Sequence, residues 1–126
     1  MTNWLLVAAG GGVGACLRYA VALLLVPTAS GLVYPWHTLI VNWGGAAIIG
    51  LGWGLWQYSE WFLNWGRPFL FVGILGGFTT FSAFSLECLQ LMEQDRPLAA
   101  MLYVAASVVG SLCLVWGGRQ LGLSFS

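Results

Sequence analysis

Apolar residues in this chain gather into four long blocks: about Trp4 to Val26, Thr38 to Tyr58, Pro68 to Met92, and Leu98 to Leu121. Each is about 20 residues or slightly more, enough to cross the roughly 30 Å hydrocarbon core of a bilayer as an α-helix. Polar and turn-forming residues fall between the blocks. Pro27, Ser30, Gly31 and Pro35 occupy the first connection, Glu60 and Arg67 the second, and Glu93, Asp95 and Arg96 the third. The pattern predicts an all-α integral membrane protein, with residues 1–126 forming a single domain of four short-looped transmembrane helices.

Composition narrows the class further. The chain is 60% hydrophobic and 6% charged, whereas a soluble domain carries about 25% charged residues, so no soluble surface can be covered. Net charge is zero and all four basic residues are arginine, which leaves no basic patch for nucleic acid. The first block lacks a basic leader before it and is too long for a signal peptide. Cys16, Cys88 and Cys113 lie in apolar blocks without paired spacing. They read as small buried hydrophobes rather than zinc ligands or disulfides. Six of the eight tryptophans (Trp4, Trp36, Trp56, Trp61, Trp65, Trp116) fall near block ends, as an interfacial belt does. A chain this small encloses little interior, so it is expected to oligomerise.

The third block is interrupted near its midpoint by Gly73, Gly76 and Gly77, followed by Thr79 and Thr80. Glycine and β-branched threonine weaken a helix. Irregular backbone at membrane depth is tolerated only where protein buries it or water reaches it, and such breaks mark ion or substrate sites. Phe81 and Phe84, and Ser82 and Ser85, follow at a spacing of three, which places each pair together on a helix surface. Packing of the rings, and serine bonds back to the preceding turn, are the simpler explanations. Four glycine pairs at a spacing of four (Gly10 and Gly14, Gly50 and Gly54, Gly73 and Gly77, Gly118 and Gly122) predict close helix contacts.

Polar residues inside the blocks supply the candidate chemistry. Arg18 either snorkels or pairs with a carboxylate, or else faces a wet vestibule and concentrates anions. Asn42 either bonds a neighbouring helix or points its NH₂ into a pore. His37 is expected at an interface. Glu87 pairs with an arginine or lines the same pathway, and Tyr103, Ser107 and Ser111 repeat every four residues as a possible polar stripe. Arg67 and Arg119 fall on one side of the membrane and Arg96 on the other, so the arginines barely specify an orientation.

Three stretches together resemble the small bacterial fluoride channel family, Fluc or CrcB: Gly11-Gly12-Val13-Gly14-Ala15-Cys16-Leu17-Arg18-Tyr19, Thr38-Leu39-Ile40-Val41-Asn42, and Gly76-Gly77-Phe78-Thr79-Thr80-Phe81-Ser82-x-Phe84-Ser85. The resemblance runs through the chain in order and spacing. It implies an antiparallel, dual-topology dimer of two copies in the bacterial inner membrane, with two pores exporting fluoride passively. It implies that Phe81 and Phe84 offer ring edges to fluoride, since an aromatic edge is positive. It places Asn42 as a donor to the ion, Thr38, Ser82 and Ser85 along the pore, and Arg18 at a vestibule. It also implies a structural sodium ion (Na+) at the dimer axis, held by backbone carbonyls of Gly76 and Thr79.

Two residues depart from the family pattern. Ala83 stands where threonine or serine is usual, and His37 where glycine is usual. A small proton-coupled multidrug or guanidinium exporter is the competing class, but it needs a carboxylate in the first helix, which here carries Arg18 and no acid. A silent partner subunit is the third reading, motivated by Ala83.

Overall fold

The computed structural model describes residues 2–25 and 34–126. Its helices are α1 (Thr2–Leu25), α2 (Trp36–Trp56), α3 (Phe62–Leu75), the single turn α4 (Gly76–Phe78), α5 (Ser82–Glu93) and α6 (Pro97–Leu123). The elements α3, α4 and α5 form one span, so among the described residues four segments are long and apolar enough to cross a membrane. The expected turn at Pro27, Ser30 and Gly31 lies outside the described residues.

The ends of these helices follow local chemistry. Pro97 opens α6, where its missing N–H costs nothing. At the close of α5, Asp95 takes the left-handed conformation (φ 55°). Around it, the Arg96 N–H bonds the Leu91 carbonyl and the Asp95 N–H bonds the Met92 carbonyl. This is the Schellman arrangement that satisfies carbonyls at a helix end.

The third span begins earlier than expected, at Phe62 rather than near Pro68. Proline ordinarily bounds an α-helix, because its ring presses on the carbonyl four residues earlier. Here α3 has π-helical winding and contains Pro68; bonds running five residues back relieve that conflict. Arg67 is consequently a helical residue rather than a connector, with its guanidinium 5.9 Å from the Trp53 ring centroid, a cation–π distance. Trp56, Trp61, Phe62 and Phe71 join the same aromatic group, with Phe62 and Phe71 edge-on at 4.9 Å.

Two glycine seams set the helix pairing. Along the first, Gly10 and Gly14 of α1 meet Gly73 and Gly77 of α3 and α4; a Cβ at Gly14 would collide with the Ile74 carbonyl. Along the second, Gly50 and Gly54 of α2 meet the backbone of α6, where Gly118 and Gly122 return the contact. All four expected glycine pairs thus serve close backbone approach. Trp43 closes the second seam, its ring packed over Gly110 and its Nε1 donating to the Ala106 carbonyl at 3.0 Å.

A small core of Leu39, Phe84, Leu91, Ala100 and Tyr103 ties α5 to α2 and α6. Elsewhere large apolar side chains such as Trp4, Leu24, Val109 and Leu112 stand exposed, as a bilayer or another subunit requires. Cys16 and Cys113 share that exposed surface and Cys88 is half-buried, which corrects the expectation of three buried cysteines. Cys16 and Cys113 lie on faces of α1 and α6 that the rest of the chain leaves uncovered.

Candidate functional site

The break in the third span is held open by side chains that take the place of helical bonds. Thr79 leaves the helix in an extended conformation (φ −78°, ψ 158°). In a continuous helix the Thr80 N–H would bond the Gly76 carbonyl, and the Ala83 N–H would bond that of Thr79. Instead the Thr80 N–H donates to Asn42 Oδ1 at 2.9 Å, and the Ala83 N–H to the Thr80 hydroxyl at 3.2 Å. The Gly76 and Thr79 carbonyls therefore lose their helical donors. The Thr80 carbonyl accepts Asn42 Nδ2 at 3.0 Å, so one amide grips both polar groups of a single residue. Asn42 keeps its second amide hydrogen for another partner.

Beside the break lies a cavity of about 600 Å³. Asn42, Gly76, Thr79, Thr80, Phe81 and Phe84 line it, together with Ser107 and Ser111 of α6. The Phe81 and Phe84 rings lie 5.3 Å apart, tilted at 48°. Phe84 is buried whereas Phe81 is 77% exposed, so this wall is open on the side away from the subunit. The Ser107 hydroxyl is buried and has no partner among the described residues. A buried hydroxyl ordinarily finds one; Ser107 as a residue borders the cavity, but its oxygen is covered by its neighbours.

A second polar group closes one end of the site. Glu87 Oε1 accepts the Thr38 hydroxyl and Oε2 accepts the Tyr103 hydroxyl, both at 2.6 Å. His37 Nε2 lies 3.3 Å from Oε1. The Tyr103 ring packs against Phe84 at 5.2 Å, linking the carboxylate cluster to the aromatic wall.

A smaller cavity, about 260 Å³, adjoins this end and is lined by Arg18, Tyr19, His37, Thr38, Thr80 and Ala83. Arg18 Nε donates to the Gly77 carbonyl at 3.1 Å. That bond occupies one of five guanidinium donors. Among the described residues no carboxylate pairs with Arg18.

The structure thus brings Asn42, Phe81, Phe84, Gly76, Thr79, Ser107 and Ser111 around one cavity, and Arg18 and Thr38 around the other. Glu87 and Tyr103 lie between the two sets through their bonds to Thr38 and the Phe84 contact. Ser82 and Ser85 line neither cavity: Ser85 bonds back to the Phe81 carbonyl at 2.9 Å, and Ser82 lies 3.4 Å from the Thr80 hydroxyl. Thr80, which the sequence marks only as part of the break, is a further residue of the site. It lines both cavities, and its hydroxyl, one residue before the Phe81 N-cap of α5, accepts the Ala83 N–H in the first turn.

Residues 5–119 match the family model described as CrcB-like protein, Camphor Resistance (CrcB). The chain is 40% identical over 121 residues to a Rhizobium meliloti (strain 1021) protein named Fluoride-specific ion channel FluC, covering 96% of each. Proteins of the same name from Paramagnetospirillum magneticum (strain ATCC 700264 / AMB-1) and Rhodospirillum centenum (strain ATCC 51521 / SW) are 42% and 44% identical. The first alignment covers 94% of each chain, the second 95% of this chain and 91% of the relative.

Proposed function

The chain belongs to the CrcB family, a family of multi-pass membrane channels rather than enzymes, and from that premise we propose that it is a fluoride-selective channel. The observation that carries this reading is the cavity at the broken span. There Phe81, Phe84, Asn42, whose amide keeps one hydrogen without a partner among the described residues, and Thr80 border one space. A small, strongly hydrated anion needs hydrogen-bond donors and positive ring edges in place of its water. The channel passes fluoride down its electrochemical gradient, out of the cell across the inner membrane.

In the same reading the working unit is an antiparallel homodimer with two pores. Support comes from the weak arginine asymmetry and from Phe81, a site residue left 77% exposed by its own subunit. A second copy would supply the missing wall. The freed carbonyls of Gly76 and Thr79 suit a sodium ion, because a hard cation takes oxygen ligands. Sodium there would add charge and rigidity to the break, while the chain's own Asn42 and Thr80 hold its shape.

The test is efflux from liposomes containing only this protein, loaded with potassium fluoride and opened to potassium by valinomycin, with potassium chloride in parallel. Rapid loss of fluoride without chloride is expected. Phe81→Ile and Phe84→Ile should each slow fluoride efflux about tenfold, equivalent to about 1.4 kcal/mol of barrier. Unchanged efflux in both variants would remove the rings from the pathway. No flux of either ion would defeat the self-sufficient channel and return the silent-subunit reading.

A further inference from the structure

His37 is the chain's single histidine, and the channel reading gives it no part. The structure puts it between two charged groups. Its Nε2 lies 3.3 Å from Glu87 Oε1, and it lines the same small cavity as Arg18. Its side chain is 27% exposed and borders that cavity. We propose that His37 is a positioning residue for anion entry: acting through Glu87, it sets the net charge of the Arg18 vestibule, so that proton uptake by the imidazole raises fluoride flux. This inference rests on the channel reading.

The argument is one of charge. With a neutral imidazole, the Glu87 carboxylate behind His37 and Thr38 subtracts from the positive charge that Arg18 gives the vestibule. With a protonated imidazole, His37 pairs with Glu87 and the Arg18 charge stands uncompensated. A wall of net positive charge concentrates anions at the mouth of a pathway.

The titratable groups around His37 are few. Arg18 and Tyr19 of α1 share its cavity, Glu87 of α5 touches it, and Tyr103 of α6 bonds Glu87. Tyr34, just before α2, packs against Trp36 and Tyr103. Of these side-chain types, histidine is the one whose charge ordinarily changes between about pH 5 and 8. One added unit charge about 7 Å from a passing anion, in a water-like dielectric, changes its local concentration about threefold.

Fluoride efflux at pH 6 and pH 8, equal on both sides and corrected for leak through protein-free liposomes, reads this directly. The wild-type rate should be about threefold higher at pH 6. His37→Gln, which keeps a polar ring-sized neighbour without a titratable charge, should bring the ratio near one. His37→Lys should raise the pH 8 rate toward the wild-type pH 6 rate. A wild-type ratio of one, or the wild-type ratio retained in His37→Gln, overturns the proposal. A merely structural role for His37 would change both rates together and leave the ratio alone.

The contact itself has a separate readout. A lone histidine gives a single imidazole nitrogen pair in NMR of the labelled protein in micelles. Glu87→Ala should shift the Nε2 resonance at fixed pH, and an unmoved resonance overturns the coupling to Glu87. Wild-type protein silent at both pH values defeats the channel reading and the flux claim together. A conducting but pH-flat protein defeats only the role of His37.

Discussion

The two halves of the third span are held by different means. Before the break, α3 and α4 lie against α1 so closely that the backbones touch at Gly10, Gly14, Gly73 and Gly77. After it, α5 is fixed by side chains: Asn42 on Thr80, Thr38 and Tyr103 on Glu87, and Phe84 in the core. Shape holds the first half, with one added bond from Arg18 to the Gly77 carbonyl, and side-chain hydrogen bonds aimed across helices hold the second. The first arrangement tolerates no added atom. The second depends on each polar partner being present. An ion site belongs on the second kind of wall, because its polar groups are already oriented toward a space.

The largest effect is expected where the backbones touch. Gly14→Val places side-chain atoms where the Ile74 carbonyl and the Phe78 N–H already sit. Neither neighbour is a flexible side-chain tip that can step aside. Overpacking ordinarily costs about 1–3 kcal/mol, and a backbone-on-backbone clash lies at or above the top of that range. Most of the variant should be lost as aggregate in size-exclusion chromatography of the detergent-extracted protein. A monodisperse peak at wild-type yield would show that the α1 seam can open, and the contrast between the halves would collapse.

Removing a polar partner on the other half comes next. Asn42→Ala leaves the Thr80 N–H and carbonyl unpaired, at about 1–3 kcal/mol for each buried group left unsatisfied. The variant should extract as a folded protein with a lowered thermal midpoint, and fluoride efflux should fall about tenfold or more. Asn42→Asp keeps an acceptor for the Thr80 N–H but loses the donor to its carbonyl, and should recover part of the midpoint without the flux. Equal recovery of both would mean that Asn42 acts only as a brace.

The difference between the halves also explains what was legible in the sequence. A seam made of glycines at a spacing of four is local and periodic, so Gly10 with Gly14 and Gly118 with Gly122 announce themselves. Hydrogen bonds across the break join residues 38 and 49 positions apart, and nothing local says which of several polar residues will meet. Asn42 therefore remained open between helix bonding and pore lining, and the structure shows the first bond while leaving a hydrogen for the second. His37 could be placed at an interface but not opposite Glu87. The start of α3 was misread for a third reason: Pro68 normally signals a boundary, and π-helical winding around a proline has no distinct mark in the sequence.

A smaller loss is expected from Tyr103→Phe, which takes one hydroxyl from Glu87 and keeps the ring against Phe84. The bond is worth about 1 kcal/mol, and Thr38 still donates to the other oxygen. The thermal midpoint should drop by less than in Asn42→Ala. A drop as large as that of Asn42→Ala would place the weight of the second half on Glu87 rather than on the break.

The smallest effect separates two neighbours in α6. Gly117 and Gly118 are adjacent, yet a Cβ at Gly118 would strike the Ala47 carbonyl while one at Gly117 meets nothing within 4 Å. Gly118→Ala should therefore behave like a mild version of Gly14→Val. Gly117→Ala should be neutral or slightly stabilising, by less than about 1 kcal/mol, since alanine suits a helix better than glycine does. The pair changes one methyl group at one depth in one helix, so propensity and hydrophobicity cancel and only the seam differs. If both variants lose stability alike, the exposed Gly117 face is itself in close contact with something outside the single chain. That result would point to a glycine seam on α6 in the proposed dimer, with shape holding its subunits together as it holds α2 to α6.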